Sequence, residues 1–290
     1  MNDTEVQFAF IHAYSKEYPV TELVEITNVS RSGYYKWRKR SGENWRDTID
    51  EKLIPYIMKI FNDHKGTYGR KRIKQALEEE YFLVVNEKRV ARLMRKYGLV
   101  CKIRRKRFKH QNQPVGDIPN ILNQNFKAMK PKIKFAVDIT YLEVKKGRQK
   151  WAYLCAIKDL YNNEIVAYSM GTSMDTNLVY EALDQLKKLK FEKGAILHSD
   201  QGTQFTNFGY REKLKSMGLT QSMSRRGNCW DNACIENFFG QLKTEAPCWS
   251  TPETLLEVYQ STHDYIYYYN NKRIITKLKT NPVKYRKMAA

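Results

Sequence analysis

Residues 135–144 read FAVDITYLEV and residues 195–200 read AILHSD. In the first stretch Val137, Ile139 and Tyr141 alternate with Ala136, Asp138 and Thr140. A period of two is that of a strand, with the first three residues on one face and the second three on the other. Asp138 thus lies mid-strand, away from the apolar stripe. The second stretch is a short apolar run, as expected of a parallel strand buried on both faces. Asp200 closes it, just before Gln201 and Gly202. Strand ends are where open α/β sheets place their sites.

Outward from these two stretches the pattern continues. KKGRQK (145–150) reads as a hairpin turn, WAYLCAIKDL (151–160) as a second strand, YNNE (161–164) as a turn and IVAYSMG (165–171) as a third strand. Residues 175–190 form a helix with Leu178, Ala182, Leu186 and Leu189 inward. Thr206 is placed to start another helix, and LTQSMS (219–224) is a fifth strand. DNACIENFFGQLKTEA (231–246) is a helix capped by Asp231, with Ile235, Phe239 and Leu242 on its core side. A tyrosine-rich helical tail follows over 252–271. The layout predicts an α/β fold, a mixed five-stranded sheet with helices on both faces.

Glu236 sits one residue round from the core stripe of its helix, on the rim between core and solvent. If that helix packs beside the first and fourth strands, Asp138, Asp200 and Glu236 converge. Carboxylate oxygens suit hard divalent cations. Two magnesium ions roughly 3.5–4 Å apart clamp the attacking and leaving oxygens of an in-line phosphoryl displacement. Lys243, two helical turns after Glu236 and on the same face, is placed to hold a phosphate there. Taken singly, each acid has an ordinary reading as a turn, salt-bridge or solvated residue.

The first hundred residues read as helical. In PVTELVEITNVSRSGYYKWRKR (19–40) a short helix from Thr21 is followed by a turn at Asn28, and Ser30 caps a second, basic helix. This is a helix-turn-helix pattern, or equally a helical hairpin with a solvated face. Residues 46–62 form a helix that Pro55 kinks or splits. HKGTYGRKRIKQALEEEY (64–81) gives a glycine turn and a basic helix carrying Arg70 and Arg72. Asn86 caps another, with Val90, Leu93, Met94 and Tyr97 inward, Gly98 as its stop, and Lys88, Arg89, Arg92, Arg95 and Lys96 outward. KIRRKRFK (102–109), with Arg104, Arg105 and Arg107, opens a linker that lies on a phosphate backbone. The predicted organisation is a helical DNA-binding region over 1–100, a basic linker over 101–131, a catalytic core over 132–245 and a helical tail over 246–290.

Lys and Arg number 51 against 31 Asp and Glu, a net of +20. A surplus of this size favours a polyanionic partner, most simply DNA. Five cysteines, with no CxxC pair and no histidine at ligand spacing, disfavour a disulfide framework and a zinc site. Without a signal peptide or an apolar run of about 20 residues, the expected location is the cytoplasm or nucleoid of a prokaryote.

HSDQGTQFT (198–206), SMSRRGNCWDNACIENFFGQLKTE (222–245) and DITYL (138–142) closely resemble the second open-reading-frame product (OrfB) of bacterial insertion sequences of the IS-three kind. These are DDE transposases with a retroviral-integrase-like core. The 35 residues between Asp200 and Glu236 match that family's spacing. HKGTYGRKRI (64–73) resembles its upstream helix-turn-helix segment, and YNNKRIITKLKTNPVKY (269–285) its C-terminal signature.

The resemblance implies an RNase H-like fold, Mg2+ or Mn2+ dependence, and 3′-end cleavage followed by strand transfer. It marks Asp138, Asp200 and Glu236 as catalytic metal ligands. Arg225, Arg226 and Asn228 are placed to grip DNA; Trp230 stacks on a base or fills the core. Gly202 permits a tight backbone turn, and Asn232 orients Glu236 or caps its helix. Expected partners are double-stranded DNA, further copies in a homodimer or larger assembly, and the upstream OrfA product, fused or separate. The sequence departs from the family at Phe135, where relatives carry Trp, and over 274–278, which lacks a usual His. A non-enzymatic DNA-binding regulator and a simple RNase H-like nuclease are the rival readings.

Overall fold

The structure is a computed structural model that describes residues 3–40, 45–103, 118–225 and 231–288. The chain forms two compact units, Met1–Lys59 and Ile60–Ala290.

The first unit begins with α1 (Asp3–Tyr14), α2 (Val20–Ile26) and α3 (Arg31–Arg40). Phe8, Ile11, Leu23, Val24 and Tyr34 are its core. Asn28 turns the chain between α2 and α3 with φ 51°, a left-handed value that Asn tolerates better than most residues. The Gly33 N–H donates to Ser30 Oγ at 3.0 Å, so Ser30 caps α3 as predicted. Helix α4 (Trp45–Asp63) continues through Pro55 as one element.

The second unit adds α5 (Arg70–Tyr81) and α6 (Glu87–Lys96). Asn86 caps α6 by accepting the Lys88 N–H at 2.8 Å, and Val90, Leu93 and Met94 are its buried face. Gly98, at φ 66°, provides the left-handed stop.

After these come β1 (Lys134–Glu143), β2 (Trp151–Asp159), β3 (Ile165–Gly171), α7 (Thr176–Lys187), β4 (Ile196–Ser199), α8 (Thr203–Thr206), α9 (Phe208–Met217), β5 (Thr220–Met223), α10 (Ala233–Glu245), α11 (Leu255–Asn271) and α12 (Pro282–Met288). The strands form one sheet in the order β3-β2-β1-β4-β5. The β1–β2 and β2–β3 pairs are antiparallel, whereas β4 runs parallel to β1 and β5. This is the predicted mixed five-stranded sheet of an RNase H-like fold, with a helical region before it.

Strand alternation divides the core into two layers. Phe135, Val137, Cys155 and Ile157 face Leu178, Leu183, Tyr210 and Leu214 of α7 and α9. Ala136, Leu154 and Ala156 face Ile235, Phe238 and Leu242 of α10 and Tyr265 and Tyr269 of α11. Helix α11 therefore shares with α10 the covering of one face of the sheet.

Three local expectations are corrected. Thr206 ends α8 instead of starting a helix; Asn207 caps the next one, accepting the Tyr210 N–H at 2.8 Å. Asp231 does not cap α10, whose N-cap is Asn232. The Asp231 carboxylate instead accepts from Asn120, Gln124 and Arg225. Gly202 adopts φ −56°, a value open to any residue, so the turn does not need glycine for its dihedral.

Candidate active site

Strand register brings the two aspartates together. Ala136 of β1 pairs with His198 of β4 in parallel. Asp138 and Asp200 each lie two residues beyond that pair. With a period of two, Asp138 shares the face of Ala136, the face that α10 covers. The register thus carries Asp138 of β1 and Asp200, just past the end of β4, to neighbouring places, close enough for the charge of Asp200 to act on Asp138. Across the antiparallel pair Asp138 faces Ala156, which leaves room beside it.

Backbone amides hold both carboxylates. Asp138 Oδ1 accepts its neighbour's N–H, that of Ile139, at 2.7 Å. Asp200 Oδ1 accepts the Gly202 N–H at 2.9 Å. A Cβ on residue 202 would stand 3.1 Å from that same oxygen, so glycine serves close approach, not conformation.

Helix α10 carries Glu236 to the same place. Ile235, Phe238, Phe239 and Leu242 pack on the sheet, which leaves Glu236 half-buried at the edge of the contact. The carboxylates interact. Burial, then the charges of Asp200 and Glu236, push Asp138 well above the usual carboxylate range, against the pull of the Ile139 amide and of Lys243. Burial raises Asp200, opposed by the Gly202 amide. Burial and the Asp200 charge raise Glu236. Lys243 also lies over the Tyr141 ring, 4.4 Å from its centroid.

Among the described residues no three His, Cys, Asp or Glu side chains form a ready-made metal cage. The donor chemistry nevertheless fits a hard divalent cation: the charges of Asp200 and Glu236 raise Asp138, that of Asp200 raises Glu236, and Lys243 is the cation that acts on Asp138. A groove of about 980 Å3 lined by His64, Glu79, Trp249 and Lys284 shares no residue with this cluster.

Two integrase core domain models match residues 128–229 and 236–289, and an HTH-like domain model matches residues 48–107. The putative transposase InsK for insertion sequence element IS150 of Escherichia coli (strain K12) is 38% identical, over 93% of this chain and 94% of that protein. Transposase InsF for insertion sequence IS3A of the same organism is 32% identical over 83% of each. The chain belongs to the IS-three type of DDE transposases. An insertion element IS600 protein of Shigella sonnei is 36% identical to this transposase, over 92% of this chain and 100% of its own length. The HTLV-2 integrase catalytic core domain, solved in complex with magnesium, covers 55% of the transposase with a TM-score of 0.43 and 12% identity.

The remaining candidate residues of the transposase fall into three groups. Arg226, Asn228, Trp230, Arg104, Arg105 and Arg107 lie outside the described residues. Arg225 and Arg72 are engaged within the fold. Arg225 grips the buried Asp231 through Nε and Nη2, both at 3.1 Å, and pulls that carboxyl below its usual range against the cost of burial. Arg72 reaches Glu245 at 3.5 Å and lies over the Tyr68 ring. Arg70 is exposed and pairs with Glu87 at 2.6 Å.

Asn232 neither caps nor orients Glu236 through its side chain. Its amide is 4% exposed, with both polar atoms unpartnered. Sequence reasoning missed the buried Arg273–Glu245 pair, at 2.7 Å through each of two nitrogens, to which Tyr265 donates at 2.9 Å. No local pattern marks it, because the partners lie 28 residues apart.

Proposed function

We propose that this transposase cleaves the 3′ ends of its element and joins them to target DNA, using Asp138, Asp200 and Glu236 as metal ligands. The observation that carries the reading is the electrostatic coupling of three half-buried or buried carboxylates beneath α10: the charges of Asp200 and Glu236 raise Asp138, and that of Asp200 raises Glu236. Carboxylates coupled in this way hold negative charge that a cation relieves. Divalent ions bound there would supply Lewis acidity and a more acidic water or 3′-hydroxyl.

The residues' own tasks are positioning ones. The Gly202 amide fixes Asp200, the Ile139 amide fixes Asp138, and Lys243 offers a charge to a phosphate at the rim. The basic surface of α6, with Arg70 beside it, suits sequence-independent contact with the DNA backbone. Two ends must be brought together, so the working form is a homodimer or larger assembly, with or without the OrfA product.

The test uses labelled DNA carrying the ends that flank the element's own coding region, with Mg2+. Strand transfer supports the reading, hydrolysis alone favours a nuclease, and binding without cleavage favours a regulator. Asp200→Ala is expected to keep DNA binding and lose both cleavage and joining. Cleavage retained by that variant overturns the assignment.

A further inference from the structure

Lys158, on β2, is 4% exposed. A lysine this buried is uncommon, because an ammonium loses much of its hydration inside a fold. Its neighbours on the same face are apolar: Leu154 and Ala156 of β2, with Ile235 and Phe238 of α10 above them. The hydrogen bond it makes is to a backbone carbonyl. Lys158 Nζ donates to Cys234 O at 2.9 Å. Cys234 lies in the first turn of α10, two residues before Glu236.

The register gives this bond a meaning. Lys158 pairs with Ala136 of β1, and Ala136 pairs with His198 of β4. That row crosses the sheet two residues below Asp138 and Asp200, a step of roughly 7 Å along the strands. The ammonium therefore rises from the row adjacent to the carboxylates and takes hold of the helix that brings the third one. At the same point the β2–β3 pairing shifts register between Ile157 and Lys158. Such irregularities re-aim a side chain. Apolar packing of Ile235, Phe238 and Leu242 presses α10 onto the sheet but is tolerant of sliding. A directional bond to one carbonyl is not.

We propose that Lys158 is a positioning residue that sets the distance of Glu236 from Asp138 and Asp200, and so the site's affinity for divalent cations. The inference rests on the metal-ligand reading given above. Lys158 itself touches neither substrate nor reacting atoms; it acts through the first turn of α10.

The experiment is a thermal-shift titration of the full chain with Ca2+ and with Mn2+, beside the cleavage assay. Wild type is expected to gain stability with added cation, and Asp138→Asn to lose that gain. Lys158→Met keeps the stem's volume and removes the donor. Its cation midpoint is expected to rise about tenfold, with DNA binding unchanged and cleavage partly restored at high Mn2+. Lys158→Arg retains a donor and is expected to stay within about threefold of wild type.

A purely structural lysine would lower the melting temperature and leave the midpoint where it was; that result overturns the proposal while leaving the metal site intact. If wild type shows no cation-dependent gain at all, the metal-ligand reading fails and this inference falls with it. Should Lys158→Met fail to fold, Lys158→Gln, whose shorter amide also loses the carbonyl, must raise the midpoint in the same direction.

Discussion

Gly202 shows how one missing atom shapes the candidate site. Its φ is ordinary, yet a Cβ would sit 3.1 Å from Asp200 Oδ1 and 3.2 Å from Gln204 Oε1. Gly202→Ala is thus expected to displace the Asp200 carboxylate with little cost elsewhere. Cleavage should fall roughly tenfold or more, about 1.4 kcal/mol in transition-state stabilisation, with the melting temperature within a few degrees of wild type. A full-rate Gly202→Ala enzyme would show that the close approach is incidental. Asp138 makes the complementary case. Its ionised form is disfavoured by burial and by two like charges. Without added cation, Asp138→Asn is expected to melt higher than wild type at neutral pH, by a few degrees, as the repulsion is relieved. A cation added to wild type should close the gap from the other side. Differential scanning calorimetry with and without Mg2+ reads both.

Helix α11 and the end of α10 depend on a buried ion pair. Glu245 accepts from Arg273 Nε and Nη2 and from Tyr265, and burial's upward push on the carboxyl is overcome by these bonds. Removing one partner strands the other. Arg273→Met is expected to destabilise the fold by about 3–5 kcal/mol, measured by urea unfolding, whereas an exposed pair such as Arg70–Glu87 should give under about 1 kcal/mol.

A second buried group on this side gives a pH dependence. His64 donates to or accepts from Tyr268 at 2.9 Å and stacks on Tyr68, and burial lowers it to about 4. The unfolded chain then takes up the proton first as pH falls. Its contribution is complete above pH 6.5 and is lost between 6.5 and about 4. Asp159, raised to about 6 by burial, works in the opposite sense over part of that range. A His64→Gln variant should therefore show a flatter acid limb than wild type, and an unchanged limb would remove His64 from the account.

Elements of this kind mark the limit of what local pattern reveals. The β1 alternation was legible because one strand face is apolar and the other is not. The Asn86 and Ser30 caps were legible because a cap bonds residues two or three positions away. Asp231 has the pattern of a cap but is none: besides Arg225, its carboxylate is claimed by Asn120 and Gln124, 111 and 107 residues distant, which no local pattern reveals. Lys158 carried no signal at all, since a lysine in a strand gives no hint of which helix will cover it.

At the scale of the whole molecule, charge and carboxylates divide the work. The surplus of +20 attracts a polyanion over a broad surface, whereas the chemistry needs a small acidic pocket that repels it. Separation in the fold reconciles the two demands. The acids gather on the central strand β1 and at the end of β4, beneath α10. Much of the basic charge of the helical segments faces outward, with Arg92 and Arg95 lining an open groove of about 540 Å3 beside Arg70 and Lys88. If that groove follows a DNA backbone, affinity must carry the signature of released counterions. The logarithm of the binding constant is expected to fall linearly with the logarithm of salt concentration. Each phosphate contact contributes about 0.9 to the slope. Replacing Lys88 and Arg95 together by Gln should reduce the slope by up to about 1.8 and weaken specific and unrelated duplexes alike. It should leave the cation midpoint of the carboxylate site untouched, because the groove those side chains line includes no residue of that site. Fluorescence anisotropy over a salt series measures the slope. A variant that loses affinity for the element ends alone, at constant slope, would make these residues readers of sequence instead of holders of phosphate.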